Sequence, residues 1–162
     1  MMARVFIGIG SNIDKEKNIA SSVATLRAHF GPLDISNVYE TPAFGFEGDD
    51  FHNLVVGFHT DQSPQEISQT LKRIESEHDR THGKESFVSR TLDLDQLLYD
   101  NLVLQVDGVS LPHPDVLRYN FMLRPLAELA GDVQHPQEKC TIAELWEAHH
   151  SDQEMRKVEY EF

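Results

Sequence analysis

The chain has 162 residues, with 14 Lys and Arg against 27 Asp and Glu, so its formal charge is −13 with His neutral. Hydrophobic residues at 40% and charged residues at 25% match an ordinary soluble globular protein, and the length leads us to expect one domain over residues 1–162. So acidic a chain lacks the basic face that neutralises nucleic-acid phosphates, and the same charge disfavours anionic lipid.

Ala3 to Ile9 reads as a buried first strand, followed by the turn signal Gly10-Ser11-Asn12. Ile19, Val23, Leu26 and Phe30 recur at helical spacing, and Gly31-Pro32 supplies the stop. Asp34 to Glu40 predicts a second strand, weakened by Asn37, and Thr41 to Asp50 has the composition of a loop. Leu54 to His59 is the third strand. Ser63-Pro64-Gln65-Glu66 opens a helix whose Ile67, Leu71, Ile74 and His78 share a face, with an exposed loop from Asp79 to Ser86. Leu92 to Leu98 alternates as a strand does, and Leu102 to Val106 between two turn signals predicts a hairpin. Pro125 to Ala130 predicts a short helix, Thr141 to Glu144 a second capping box, and the last dozen residues a frayed, charged end. The order β-α-β-β-α-β, then a hairpin and helices, suits an α+β domain with helices on one face of an antiparallel sheet.

Other classes find no signal. No apolar run approaches the ~20 residues of a membrane span, and Met1 to Gly10 is too short for a signal-peptide core. The single cysteine, Cys140, excludes an internal disulfide and any multi-cysteine metal site, and a reducing, cytoplasmic compartment is expected. There is no P-loop motif. Gly8-Ile9-Gly10 lacks the third glycine of a dinucleotide fingerprint and reads as a tight turn after the first strand. His78 and His82 are four apart without the H-E-x-x-H pattern.

The sharpest chemical feature is Arg90-Thr91-Leu92-Asp93-Leu94-Asp95. Residues two apart on a strand share a face, so Asp93 and Asp95 point together, away from Leu92, Leu94 and Leu98. Paired carboxylates on a strand cost stability unless a cation offsets them, which a Mg²⁺ site completed by waters and phosphates does. A bare D-x-D is equally the solvated face of an amphipathic strand. The segment from Lys72 to Arg90 carries net +1 while the remainder carries −14, which places cations for phosphate beside carboxylates for a metal. Lys72 and Arg73 also fit a helix laced with ion pairs. His113 is held between Pro112 and Pro114, and Phe44, Phe46, Phe51 and Phe121, in or beside loops, suit either satellite packing or stacking on a flat heteroaromatic ring.

Taken in order, Ile9 to Asn12, Tyr39-Glu40-Thr41-Pro42, Phe51-His52-Asn53, Arg73-Ile74-Glu75, the R-T-L-D-L-D block, Leu111 to Pro114 and Phe121 to Leu126 resemble 6-hydroxymethyl-7,8-dihydropterin pyrophosphokinases. The likeness runs from about Val5 to Pro136 and leaves an acidic C-terminal extension over residues 138–162. It implies a ferredoxin-like βαββαβ core, with an extra hairpin and C-terminal helices. It also implies transfer of pyrophosphate from ATP to the pterin hydroxymethyl group, releasing AMP. By resemblance, Asp93 and Asp95 hold two Mg²⁺ ions, while Arg80 and Arg90 engage the transferring phosphates. Thr41, Phe44 and Asn53 read the pterin edge, Phe51 and Phe121 sandwich its ring, and Glu75, His82, Ser110 and His113 face the nucleotide. The expected partners are the small-molecule substrates ATP and hydroxymethyl-dihydropterin, and the expected state is a monomer.

The chain departs from the family pattern on the nucleotide side. Phe87-Val88-Ser89-Arg90 stands where Trp-Gly-Pro-Arg is usual, His82 and Tyr119 where arginines are, and Gln96 where isoleucine is. Losing guanidinium forks implies weaker ATP binding, pH-sensitive where a protonated His82 is required. A pterin-binding paralogue with altered ATP use is the alternative these changes raise. Two loops, Ala43 to Asp50 and Thr81 to Ser89, are expected to close over the substrates.

Overall fold

The computed structural model describes residues 2–42, 50–82, 92–106, 108–149 and 155–162, with the side chains of residues 79–82 and 149 outside that description. In chain order the elements are β1 (Ala3–Ser11), α1 (Lys15–Phe30), β2 (Asp34–Ile35), β3 (Val38–Thr41), β4 (Phe51–Thr60) and α2 (Pro64–His82). They continue with β5 (Asp93–Tyr99), β6 (Leu104–Val106), β7 (Val109–Leu111), a 3₁₀ turn (Pro114–Leu117), α3 (Asn120–Ala130), α4 (Ile142–His149) and β8 (Arg156–Val158). The main sheet runs β5-β1-β4-β3-β8, with β2 also on β4, and every pairing in it is antiparallel. The first, third, fourth and fifth strands with α1 and α2 make the expected ferredoxin-like core, and β6 and β7 form the separate hairpin.

Helices cover both faces of the sheet, not one. Val5, Ile7 and Ile9 of β1 pack with Ile19, Val23 and Leu26 of α1 and Ile67, Leu71 and Ile74 of α2. On the other face Phe6 and Val55 pack with Leu123 and Leu126 of α3 and Ile142 and Leu145 of α4. The unbroken apolar run of β1 reflects this: a central strand buried on both faces has no solvated side to carry alternating polar residues.

Several boundaries move, each for a local reason. The predicted second strand breaks into β2 and β3 at Ser36, whose hydroxyl accepts the Val55 N–H at 2.9 Å in place of a backbone carbonyl while its own N–H still donates to the Val55 carbonyl at 3.0 Å. β5 carries a bulge: Phe6 pairs with Leu98 but Ile7 with Gln96, so Leu97 is an extra residue. The bulge places Leu98 with Leu97 in the α3 core instead of beside Leu92 and Leu94. Helix α2 continues through His82 where a loop was expected, since nothing before Gly83 breaks it. Helix α3 begins at Asn120, so Pro125 lies inside it, buried, where its ring lacks the N–H that would bond the Phe121 carbonyl.

Both predicted capping boxes form. Ser63 and Glu66 exchange bonds of 2.9 and 3.2 Å, and Thr141 and Glu144 bonds of 2.9 and 3.1 Å. The frayed end expected over the last dozen residues falls partly outside the described residues, and within them β8 is ordered by its pairing along β3, where its backbone groups find partners.

Candidate active site

The pairing of β5 with β1 sets Asp93 opposite Gly10 and Asp95 opposite Gly8. Leu94 between them enters the α1/α2 core, so both carboxylates stand on the α3 face. Gly10 also lies opposite Asn53 of β4, and one row across the sheet reads Asp93, Gly10, Asn53. The two glycines are strand interior, not the tight turn their sequence resembles. A Cβ on Gly10 would come within 2.8 Å of the Asn53 Oδ1, so the close approach requires glycine.

Asn53 is held from behind. Its Nδ2 donates to the Thr41 Oγ1 at 3.0 Å, and both side chains are buried. That bond, with the amide oriented accordingly, turns the Oδ1 acceptor toward Gly10.

Asp93 and Asp95 line two openings. A cavity of about 410 Å³ is bounded by Lys72 and Glu75 of α2, Gln105 and Ser110 of the hairpin, and His113. A narrow cleft of about 20 Å³ lies between Gly8, Gly10, Asn53 and Phe121. The first has the size of a small-molecule pocket and the second holds roughly one water.

Charge in the larger cavity is unbalanced. Glu75 Oε2 accepts the Leu94 N–H at 2.8 Å. Burial, reinforced by Asp93 and Asp95, pushes its carboxyl up to about 7. His113 Nδ1 accepts the Asp115 N–H at 3.1 Å, which leaves Nε2 to carry a proton 3.6 Å from Asp95 Oδ1. Burial pulls the His113 pKa down, but its bond to Asp95 and the charges of Asp95, Asp115 and Asp93 outweigh it and hold the pKa above the usual value. Among the described residues, three carboxyl groups thus share one region with only Lys72 and His113 as cations, which is the donor chemistry of a hard divalent cation. Among the described residues no group of three or more His, Cys, Asp or Glu is assembled to hold a metal alone. Mg²⁺ commonly takes one or two carboxylates and completes its shell with waters and substrate phosphates.

Of the residues expected from sequence, Glu75, Asp93, Asp95, Ser110 and His113 meet around the larger cavity, and Asn53 and Phe121 around the cleft. Thr41 supports Asn53. Phe51 opens β4 opposite Thr41, and Phe121 sits in the first turn of α3 with its ring stacked on Tyr119 at 4.9 Å, so neither is a loop residue. Phe44, Phe46 and Arg90, the side chains of Arg80 and His82, and most of both expected closing loops lie outside the described residues. His78 is structural: its ring nitrogens bond the Ile74 carbonyl and the Ser21 hydroxyl.

Lys72, which the sequence left to surface ion pairing, lines the larger cavity with its Nζ beside Gly108. The available signal was its spacing: Ser68, Leu71, Lys72 and Glu75 fall on one side of α2. The requirement for glycine at position 10 was readable only once its cross-strand partner Asn53 was known.

Residues 6–131 match the family model described as 7,8-dihydro-6-hydroxymethylpterin-pyrophosphokinase. The chain is 36% identical over 139 residues to the 2-amino-4-hydroxy-6-hydroxymethyldihydropteridine pyrophosphokinase of Aquifex aeolicus, covering 83% of this chain and 85% of that protein. It is 34% identical over 133 residues to the Bacillus subtilis protein of the same name, covering 80% and 79%. In fold it is similar to the wild-type HPPK-DHPS of Plasmodium falciparum, with TM-score 0.70 at 13% identity, covering 91% of this chain. It spans only 44% of that longer chain. A match over most of the length places this chain in the 7,8-dihydro-6-hydroxymethylpterin-pyrophosphokinase family.

Proposed function

We propose that the protein transfers the terminal pyrophosphate of ATP to the hydroxymethyl oxygen of 6-hydroxymethyl-7,8-dihydropterin, releasing AMP, a step of folate biosynthesis. The observation that carries this reading is that Asp93 and Asp95 border both the larger cavity and the cleft. A carboxylate pair between two sites suits a reaction in which a phosphate of one substrate meets an oxygen of the other.

The larger cavity takes the nucleotide, with Glu75, Ser110 and His113 around it and Lys72 as a further cation. Asn53 reads the pterin edge through its fixed Oδ1, an acceptor for a ring N–H, and Thr41 holds the amide in that orientation. Accepting a bicyclic ring requires the narrow cleft to widen. Phe121 borders it and Phe51 heads the adjoining strand, and their two faces stack the ring. Arg80 and Arg90 steady the transferring phosphates. Phe44 belongs to the pterin side and His82 to the nucleotide side.

The pterin oxygen attacks the β-phosphorus in line, forming one P–O bond as the bond to AMP breaks, and the hydroxyl proton departs to solvent. No covalent enzyme intermediate is involved, so the contribution of the chain is positioning and charge dispersal. Two Mg²⁺ ions held by Asp93 and Asp95 would supply the charge neutralisation that lets polyphosphate approach these acids. The setting is cytoplasmic and the chain acts as a monomer of one domain. Among the described residues no helix is long and apolar enough to cross a membrane.

Incubating the protein with ATP, Mg²⁺ and hydroxymethyl-dihydropterin tests the reading. It requires AMP in equal amount to pyrophosphorylated pterin, and ADP as product would overturn it.

A further inference from the structure

Residues 155–162 lie beyond the stretch that matches the family model, 6–131. β8 extends the sheet past β3, with Val38 opposite Val158, Tyr39 opposite Lys157 and Glu40 opposite Arg156. Across β3 and β4, Glu40 lies opposite His52. The three side chains form a row that Tyr160 completes. Arg156 Nη2 donates to Glu40 Oε1 at 2.7 Å, and Glu40 Oε2 lies 2.9 Å from His52 Nε2. His52 Nδ1 lies 2.6 Å from the Tyr160 hydroxyl. With Nε2–H donating to the carboxylate, Nδ1 accepts the Tyr160 O–H, so each polar group has a partner. His52 is buried, the Tyr160 ring meets it edge-on, and Phe162 stacks on Tyr160.

Glu40 and His52 point to the face opposite Thr41 and Asn53, their chain neighbours. The row therefore pins, from behind, the two short backbone segments whose front carries the 3.0 Å bond between Thr41 and Asn53. Without β8, β3 would be a four-residue strand paired on one side only, the kind of edge that opens readily.

The geometry points to the C-terminal segment as a clamp on the pterin side of the site, with Tyr160 and Arg156 as positioning residues that act on Thr41 and Asn53 through His52 and Glu40. This rests on Thr41 and Asn53 belonging to the pterin subsite.

Tyr160→Phe in the full chain removes one oxygen and keeps the ring contacts. The clamp predicts pterin affinity, followed by pterin fluorescence, falling roughly five- to tenfold, the scale of one lost buried hydrogen bond. ATP affinity by calorimetry stays within about twofold, KM for pterin rises while kcat holds, and amide exchange quickens in residues 38–41 and 51–53. Arg156→Ala, at an exposed position, shows the same pattern more weakly, and it carries the test should Tyr160→Phe not fold. Equal loss for both ligands, or unchanged pterin affinity, overturns the clamp while leaving the functional reading intact. A wild-type protein that binds ATP but no pterin removes the subsite assignment and the clamp with it.

Discussion

Glu75 offers a quantitative test of the charge balance in the larger cavity. Its carboxyl rises from 4.5 to about 7, chiefly through burial and then through Asp93 and Asp95. Between those two pH values the folded protein keeps a proton that the unfolded chain has lost. The associated stability is therefore complete below pH 4.5 and disappears as pH climbs through 7. The rise corresponds to about 3 kcal/mol, which water reaching the partly exposed carboxyl trims to about 2 kcal/mol. Glu75→Gln keeps an acceptor for the Leu94 N–H and has no proton to lose. At pH 4 the variant and wild type should melt together. At pH 8 the variant should melt about 4–8 °C higher, taking about 2–4 °C per kcal/mol at this size. Thermal denaturation without metal or nucleotide reads this directly. His113, whose pKa is also raised, contributes the same trend to both proteins and drops out of the difference. Parallel profiles across pH would refute the picture of a buried carboxyl crowded by two neighbouring acids.

Gly10→Ala drives a Cβ against the Asn53 Oδ1, and turning that amide away should raise the pterin KM about tenfold while ATP binding holds, as steady-state kinetics with each substrate varied will show. Lys72→Met keeps the stem and removes the charge beside Gly108, so ATP affinity should fall about three- to tenfold, with a shallower salt dependence in calorimetry. Leu126→Ala, at a fully buried position under the sheet, should cost about 2–5 kcal/mol in urea unfolding, and a smaller loss would mean that the α3 layer is loosely packed.

Strong local signals carried most of the fold. Ser63 with Glu66 and Thr141 with Glu144 announced their helices because a capping box is satisfied within four residues. Pro125 misled because proline favours a first helical turn, whereas here packing against the sheet held the helix together around it. The unbroken apolar run of β1 already implied cover on both faces, but nothing local to it names Leu123, Leu126, Ile142 and Leu145 as the residues that supply the second layer. In the site, the shared face of Asp93 and Asp95 was legible from strand period, while their proposed metal role came from the family resemblance. The requirement for glycine at position 10, the reach of Lys72 and the row from Arg156 to Tyr160 depend on cross-strand and cross-element partners. Glu40 and Arg156 stand 116 residues apart in sequence, and no local pattern connects them.

The central claim is that Asp93 and Asp95 join a nucleotide site to a pterin site for pyrophosphate transfer. Its most direct test is AMP release from ATP, Mg²⁺ and hydroxymethyl-dihydropterin by the wild type and by Asp95→Asn, with the fold of each checked by its melting curve. The account predicts AMP with the wild type only when all three are present, and turnover reduced at least about 10³-fold in the variant while its melting temperature is held or raised. Undiminished AMP release by a folded Asp95→Asn protein, or none by the wild type, would contradict it.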